Sequence, residues 1–158
     1  MADGPQARAF KGGALPGSVL FCCNHNVIRS PFAEAYLKKT HGRRVFVQSC
    51  GAREGEDVDP FMTVVAGEID VDMSKHRPRS FENMEAWGDD ITGYDVIVAL
   101  SPAAQRQALE RTRAASVEVL FWQILDPAGI GESREQKLHA YRQARDQITA
   151  LIKDTFGS

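Results

Sequence analysis

Short apolar segments alternate with longer amphipathic segments along the chain. Residues of β-forming type are concentrated in four runs, which predict four strands. The predicted strands are Val19 to Cys23 and residues 44–49, 94–100 and 117–125. Helical segments separate them, and the clearest is 132–156, where apolar residues recur at spacings of three and four. This alternation predicts an α/β protein with a parallel sheet and helices on both of its faces.

The remaining predicted helices lie between the strands. One follows Ser30, the expected N-cap, and ends near Gly42, while another starts at Pro60. Shorter helices are predicted over residues 81–87 and 102–115. In open α/β sheets, ligands bind outside the carboxyl ends of the strands, where the strand order reverses. Polar residues that follow the predicted strands are therefore the first candidates for a functional site.

Composition fits an ordinary globular domain and narrows the range of partners. The chain has 158 residues, of which 43% are hydrophobic and 25% are charged. We expect a flexible tail over residues 1–17, which are rich in Gly, Ala and Pro, and a single domain over 18–158. The net charge of −2 gives no electrostatic reason to expect nucleic acid or an anionic membrane as a partner.

Cysteine usage bears on the compartment and on possible cofactors. Three cysteines, Cys22, Cys23 and Cys50, cannot all be paired within one chain, which favours a reducing, cytoplasmic environment. Because side chains alternate along a strand, Cys22 is expected to face away from Cys23 and into the core. No Cys or His pair has the spacing of a metal site, so neither a metal nor another cofactor is expected. The sequence specifies no oligomeric state.

The stretch from Val19 to Pro31 carries most of the predicted chemistry. Cys23 ends the first predicted strand, and five residues separate it from Arg29. A loop of this length can curl so that its backbone N–H groups bind an anion, aided by the N-terminus of the following helix. Such a loop stabilises a nucleophilic thiolate, and an arginine can clamp two phosphate oxygens. A nucleophile, a loop of anion-binding N–H groups and a phosphate-binding arginine together predict phosphoryl transfer.

The same stretch resembles the phosphate loop of the low-molecular-weight protein tyrosine phosphatases, in which a cysteine and five further residues precede Arg-Ser and usually Pro. The resemblance implies that Cys23 is the nucleophile and Arg29 the phosphate-binding residue. It also implies a three-layer α/β sandwich whose four-stranded parallel sheet has the flavodoxin-like order 2-1-3-4. The implied substrate-binding residues are Asn24, His25, Asn26, Val27, Ile28 and Ser30.

Four polar positions match residues that support the phosphate loop in that family. Asn26 matches an asparagine that holds the loop in a left-handed turn, a conformation that Asn tolerates better than most residues. Ser30 matches the serine that steadies the departing cysteine, in addition to its expected capping role. Ser49 matches a serine in a Ser-Ala-Gly-Thr-like turn, and His76 matches a histidine that hydrogen-bonds to the loop asparagine.

Asp126 is the predicted general acid and base. Removing an alcohol or phenol from phosphate requires a proton on the departing oxygen, and a carboxyl group can supply it. The same carboxylate can then accept a proton from the water that attacks phosphocysteine. The pair Asp126-Pro127 matches the family's general acid in its position before the last long helix. We expect it at the end of the fourth strand, on the same sheet edge as Cys23.

Three departures from the family pattern bear on the loop and on substrate binding. His25 stands where the family usually has glycine, so its side chain must narrow the loop rim or point away from it. Ile28 replaces a cysteine that many members pair with the nucleophile on oxidation. Ala128 and Gly129 replace two tyrosines that flank the substrate ring, which weakens the expected preference for phosphotyrosine.

The favoured interpretation is a metal-independent phosphomonoesterase that forms a phosphocysteine and acts on phosphotyrosine proteins or small aryl phosphates. An arsenate reductase of the same fold is the first alternative. The thioredoxin-coupled type needs two further cysteines downstream, and none follows Cys50, whereas a glutathione- or mycothiol-dependent type with one cysteine stays open. A phosphate-binding module without turnover is the second alternative, motivated by His25 and the missing tyrosines. Binding alone, however, requires no acid such as Asp126.

Overall fold

The computed structural model describes residues 14–157, and its centre is one parallel sheet of four strands in the order β2-β1-β3-β4. The strands are β1 (Ser18–Cys23), β2 (Phe46–Gly51), β3 (Val96–Ala99) and β4 (Glu118–Phe121). The predicted α/β class and strand order are confirmed. The last two strands are shorter than predicted, because their apolar runs continue past the residues that pair in the sheet.

Five helices connect and cover the strands. They are α1 (Arg29–His41), α2 (Pro60–Gly67), α3 (Phe81–Ala86), α4 (Pro102–Arg111) and α5 (Arg134–Phe156). The chain leaves β1 toward β2 on one side and later returns to β3 on the other, so the strand order reverses beside β1. A crevice at the carboxyl end of β1 is therefore the expected ligand site of this fold.

Side chains of β1 alternate between two apolar cores. Val19, Phe21 and Cys23 belong to the larger core, which is shared with α1, α2 and α5. Leu20 and Cys22 belong to the smaller core, which is shared with α3 and α4. The prediction that the two adjacent cysteines face opposite sides of the sheet is confirmed. Only Cys23 therefore lies on the side where α1 begins.

The beginning of the described chain is attached to the domain. Leu15 packs against the larger core, and the Gly17 N–H donates a 2.8 Å hydrogen bond to the Asp95 carboxylate. Residues 1–13 of the predicted tail lie outside the described residues. Within residues 14–157, no helix is both long enough and apolar enough to cross a membrane.

Candidate active site

The loop between β1 and α1 has its carbonyl groups turned toward the segment that follows β2. Four N–H groups of that segment donate to four loop carbonyls. The pairs are Ala52 to Cys23 (2.8 Å), Arg53 to Asn24 (2.9 Å), Gly55 to His25 (3.0 Å) and Asp59 to Val27 (2.9 Å). The N–H groups of residues 24–28 donate to no group within residues 14–157. These donors are free to bind an anion in the concave side of the loop.

Gly51 allows β2 to lie directly beneath this loop. A Cβ atom at Gly51 would lie 2.8 Å from the Asn26 nitrogen and 2.8 Å from the His25 carbonyl carbon, which is closer than packed atoms approach. A larger residue would displace the loop backbone. The close approach explains how the segment after β2 can hold the loop carbonyls.

Cys23 lies at the floor of the loop with its side chain 2% exposed. Its Sγ is 2.9 Å from the Ser30 hydroxyl oxygen, and the Ser30 N–H donates to the same sulfur at 3.4 Å. Both groups lie in the first turn of α1, where the helix dipole favours negative charge. A thiolate at this position, whether attacking or departing, is therefore stabilised by the protein.

The expected N-cap role of Ser30 is wrong. The helix begins one residue earlier, at Arg29, and the capping residue Ile28 makes no side-chain capping bond. Ser30 lies inside the first turn, and its hydroxyl donates to the Cys50 carbonyl at 3.2 Å. The hydroxyl thus contacts both the Cys23 sulfur and the Cys50 carbonyl, to one of which it can donate its single proton, and it does not cap the helix.

Arg29 is 5% exposed and its guanidinium is fixed by two backbone carbonyls. Its Nη1 donates to the Ile124 oxygen at 3.1 Å and lies 3.4 Å from the Leu100 oxygen. These carbonyls follow β4 and β3, so three strands position one cation at the sheet edge. The planar fork of a guanidinium suits the oxygens of a bound phosphate.

Asp126 lies beside that guanidinium, although not at the end of a strand. The strand β4 ends at Phe121, so the expected position of Asp126 directly after β4 is wrong. It stands on the loop beyond, where one carboxylate oxygen accepts the Ala128 N–H at 3.1 Å. The other oxygen is 3.6 Å from Arg29 Nη2. The side chain is 47% exposed, so a departing group can reach it.

Asn26 is fully buried and has a φ of +60°, in the left-handed region. Its amide nitrogen donates to the Ser30 and Ser49 hydroxyl oxygens, both at 2.9 Å. Its amide oxygen accepts the Arg79 backbone N–H at 3.0 Å and lies 3.0 Å from His76 Nε2. The structure thereby brings the predicted supporting residues Ser49 and His76 together with the loop.

A buried glutamate, absent from our sequence prediction, completes this network. Glu34 lies on α1 and accepts hydrogen bonds from the Ser49 hydroxyl and the Lys38 ammonium. Its carboxylate is also 3.8 Å from His76 Nδ1. Glu34 follows Ser30 by four residues, so both lie on one helix face, and this spacing was the available signal.

Burial lowers the pKa of His76 and outweighs the opposing effect of the nearby Glu34 carboxylate. His76 is therefore neutral near pH 7. Its Nε2 lies 3.0 Å from both the backbone oxygen and the amide oxygen of Asn26, so this nitrogen carries the proton. The neutral imidazole holds the left-handed residue of the loop in place.

A family model described as low molecular weight phosphotyrosine protein phosphatase matches residues 18–156. The chain belongs to this family. The match spans all four strands and all five helices, together with the loop that holds Cys23 and Arg29.

Proteins named for different activities resemble the chain. A protein of Synechocystis sp. named glutaredoxin arsenate reductase is 29% identical over 86% of this chain and 93% of its own length. A probable low molecular weight protein-tyrosine-phosphatase of Ralstonia nicotianae is 25% identical over 83% and 88% of the two chains. The solved arginine phosphatase YwlE of Geobacillus stearothermophilus is 25% identical over 88% and 90%, with a TM-score of 0.72.

The other loop residues differ in exposure. His25 is exposed and Ile28 is buried, while Asn24 and Val27 are half-buried. Neither side chain at the positions that depart from the family pattern, His25 and Ile28, makes a hydrogen bond within residues 14–157. The group that each residue leaves available to an anion is its backbone N–H.

Cys22 and Cys50 face each other across β1 and β2 on the far side of the sheet from Cys23. Both side chains are fully buried, and burial raises the pKa of each thiol. They are protonated near neutral pH and do not share the site with Cys23.

Replacing Asn26 with alanine is expected to lower the free energy of unfolding by about 3 kcal/mol. Alanine at a φ of +60° is strained, and the buried partners Ser30 and Ser49 lose their donor. Urea unfolding measures the loss. The matched variant Asn26→Gly removes the same hydrogen bonds without the strain, so it should be about 1 kcal/mol more stable than the alanine variant. Equal free energies of unfolding for the two variants would contradict the expected strain of alanine at a φ of +60°.

Proposed function

We propose that the protein is a metal-independent phosphomonoesterase that acts through a phosphocysteine, with phosphotyrosine proteins or small aryl phosphates as substrates. The observation that carries this proposal is the approach of the Asp126 carboxylate to within 3.6 Å of the Arg29 guanidinium, at the sheet edge where Cys23 lies. A protein that only binds phosphate needs a cation but gains nothing from an exposed carboxylate beside it. A phosphatase needs that carboxylate as its acid.

The geometry supports a two-step reaction. The Cys23 thiolate attacks phosphorus, the bond to the leaving oxygen breaks, and protonated Asp126 transfers its proton to that oxygen. Arg29 and the N–H groups of residues 24–28 bind the charged phosphoryl oxygens throughout. Water then attacks the phosphocysteine, Asp126 takes a proton from it, and the thiolate departs toward the Ser30 hydroxyl.

The direct test is hydrolysis of p-nitrophenyl phosphate at mildly acidic pH in the presence of EDTA. We expect turnover that EDTA does not reduce, because the protein itself supplies the nucleophile, the clamp and the acid. Phosphate binding without any turnover would contradict the proposal and would favour a binding module.

Arsenate reduction is a second candidate, favoured by the similarity to the Synechocystis protein named glutaredoxin arsenate reductase. A relay of thiols within the chain is disfavoured, since Cys22 and Cys50 are buried across the sheet from Cys23. Reduction would then need two external thiols, such as glutathione, which are oxidised as arsenate becomes arsenite. Arsenite formation with glutathione, in a protein that fails to hydrolyse aryl phosphates, would assign this activity instead.

Replacing Asp126 with asparagine is expected to lower kcat for phenyl phosphate by about 10²- to 10³-fold, because phenol departs poorly without a proton. For 2,4-dinitrophenyl phosphate, whose leaving group departs as an anion, we expect less than about a tenfold loss. Steady-state kinetics with both esters measure the difference. The variant Asp89→Asn, in an exposed loop, is the control. Equal losses for the two esters would exclude Asp126 as the acid.

A further inference from the structure

A second groove lies behind the phosphate loop, between α1 and the segment 70–79. Its volume is about 750 Å³, and Glu34 and His76 form part of its wall. Lysines and arginines outnumber carboxylates among its lining residues, in a chain whose net charge is −2. The cations are Lys38, Lys39, Lys75, Arg77 and Arg79, and the carboxylates are Glu34, Asp70 and Asp72. No part of the proposed reaction uses this groove.

Two of these cations already have partners. Lys38 donates to Glu34, and the Lys39 ammonium donates to the Asp70 backbone oxygen at 2.7 Å. One of the carboxylates is also engaged, because Asp72 accepts the Ser74 N–H at 2.8 Å. The positive charge that is left without strong partners therefore belongs to the segment 75–79.

The side chains of Lys75, Arg77 and Arg79 donate no hydrogen bond within residues 14–157. For Arg79, the Nε is buried without a partner, and the nearest carboxylate, Glu34, is 3.8 Å from Nη2. A buried guanidinium N–H without an acceptor is destabilising, and an arginine carries five such donors. Lys75 and Arg77 are exposed and Arg79 is half-buried, so this wall of the groove presents three positive side chains to an incoming anion.

We propose that this groove is a second binding site, specific for a phosphate-class oxyanion. The planar guanidinium groups of Arg77 and Arg79 can each bind two oxygens of a tetrahedral oxyanion, and the ammonium group of Lys75 can bind one. The free ion and the phosphoryl group of a monoester both fit this site, since both present the same oxygens. Inorganic phosphate is the product of the proposed reaction. The oxyanion site itself is argued from the groove, and only the naming of this product as the source of the ligand rests on the proposed function.

The groove is directly coupled to the phosphate loop. The Arg79 backbone N–H donates to the amide oxygen of Asn26, and His76 bonds to the same oxygen. Arg79 therefore lines the groove and also bonds to Asn26 of the loop through its backbone N–H. An anion bound by the Arg79 side chain is separated from the loop by this residue alone. The two sites can still be separated by substitution, because Arg29 does not line the groove, whereas Lys75 and Arg77 line it and are not part of the loop.

Titration of the ¹⁵N-labelled full chain with inorganic phosphate, followed by NMR, tests the proposal without catalysis. In the Arg29→Ala variant, whose loop lacks its clamp, we expect the amides of residues 75–79 and the Arg79 Nε–H to shift in a saturable manner. In the double variant Lys75→Gln/Arg77→Gln, we expect the affinity of the groove to fall at least about tenfold, while the loop amides still respond. A parallel titration with glycerol 2-phosphate shows by its relative affinity whether the monoester or the free ion is preferred.

The double variant Arg43→Gln/Lys153→Gln removes two exposed positive charges elsewhere and is the matched control. It should bind phosphate in the groove as the unmodified chain does. The proposal is overturned if the groove amides do not shift when Arg29 is replaced, or if the control weakens binding as much as the groove variant. The titration measures binding and does not depend on hydrolysis. A failure of the second-site proposal can therefore be distinguished from a failure of the proposed phosphatase function.

Discussion

Replacement of Cys23 by serine is expected to abolish aryl phosphate hydrolysis, lowering kcat by at least about 10⁴-fold. A serine hydroxyl is not ionised near neutral pH, and the side chain that hydrogen-bonds to position 23 is the Ser30 hydroxyl, which is not a base. The loop donors and Arg29 remain, so the variant should still bind inorganic phosphate. Release of p-nitrophenol and calorimetric phosphate binding measure the two properties.

The chain offers a matched control in the adjacent cysteine. Cys22 is fully buried on the opposite face of the sheet, so Cys22→Ser changes the same atoms without touching the site. We expect this variant to retain turnover, with some loss of stability from the buried hydroxyl. Comparable loss of turnover in both variants would show that the effect of Cys23→Ser arises from folding and not from chemistry.

Replacement of Arg29 by lysine is expected to lower kcat/KM by about 10³-fold, even though the charge is kept. The guanidinium uses Nη1 to reach the Ile124 carbonyl while its other donors face the site, and a single ammonium cannot do both. The phosphoryl oxygens then lose a bidentate partner that is most valuable in the transition state. Steady-state kinetics with p-nitrophenyl phosphate give the change, and we expect most of it in kcat.

The exposed Arg44 on the α1–β2 connection is the control for this substitution. Arg44→Lys should leave kcat/KM unchanged within experimental error. If Arg29→Lys raised KM with an unchanged kcat, Arg29 would bind the ground state and transition state equally. That result would contradict the proposed role of Arg29 in stabilising the transition state, while leaving the hydrolase proposal in place.

The loop between β1 and α1 could be predicted from sequence because its geometry is local. Cys23, Arg29 and the N–H groups between them belong to one uninterrupted segment, so their spacing along the chain fixes which groups can meet. The error at Ser30 is also local. Ser-Pro after a loop usually marks an N-cap, but here the Cys23 sulfur and the Asn26 amide engage the hydroxyl and the helix begins earlier.

Residues distant in sequence were predicted only through the family resemblance or were missed. Asp126, Ser49 and His76 have no local pattern that distinguishes them from ordinary turn residues. Glu34 was missed because a glutamate on an amphipathic helix is usually exposed, and only the packing of α1 against β2 buries it beside Ser49. The groove behind the loop was missed because it joins α1 to the segment 70–79.

By itself, the sequence determined the alternation of strands and helices, the two faces of β1, and the placement of Cys23 and Arg29 at the two ends of one short loop. These follow from side-chain periodicity and from short loop geometry, which depend on neighbouring residues. Only the tertiary structure decided that Arg29 meets a carbonyl 95 residues away and stands beside Asp126. Such contacts depend on which strands are neighbours in the sheet and on where their carboxyl ends lie, and no local preference of the chain specifies either.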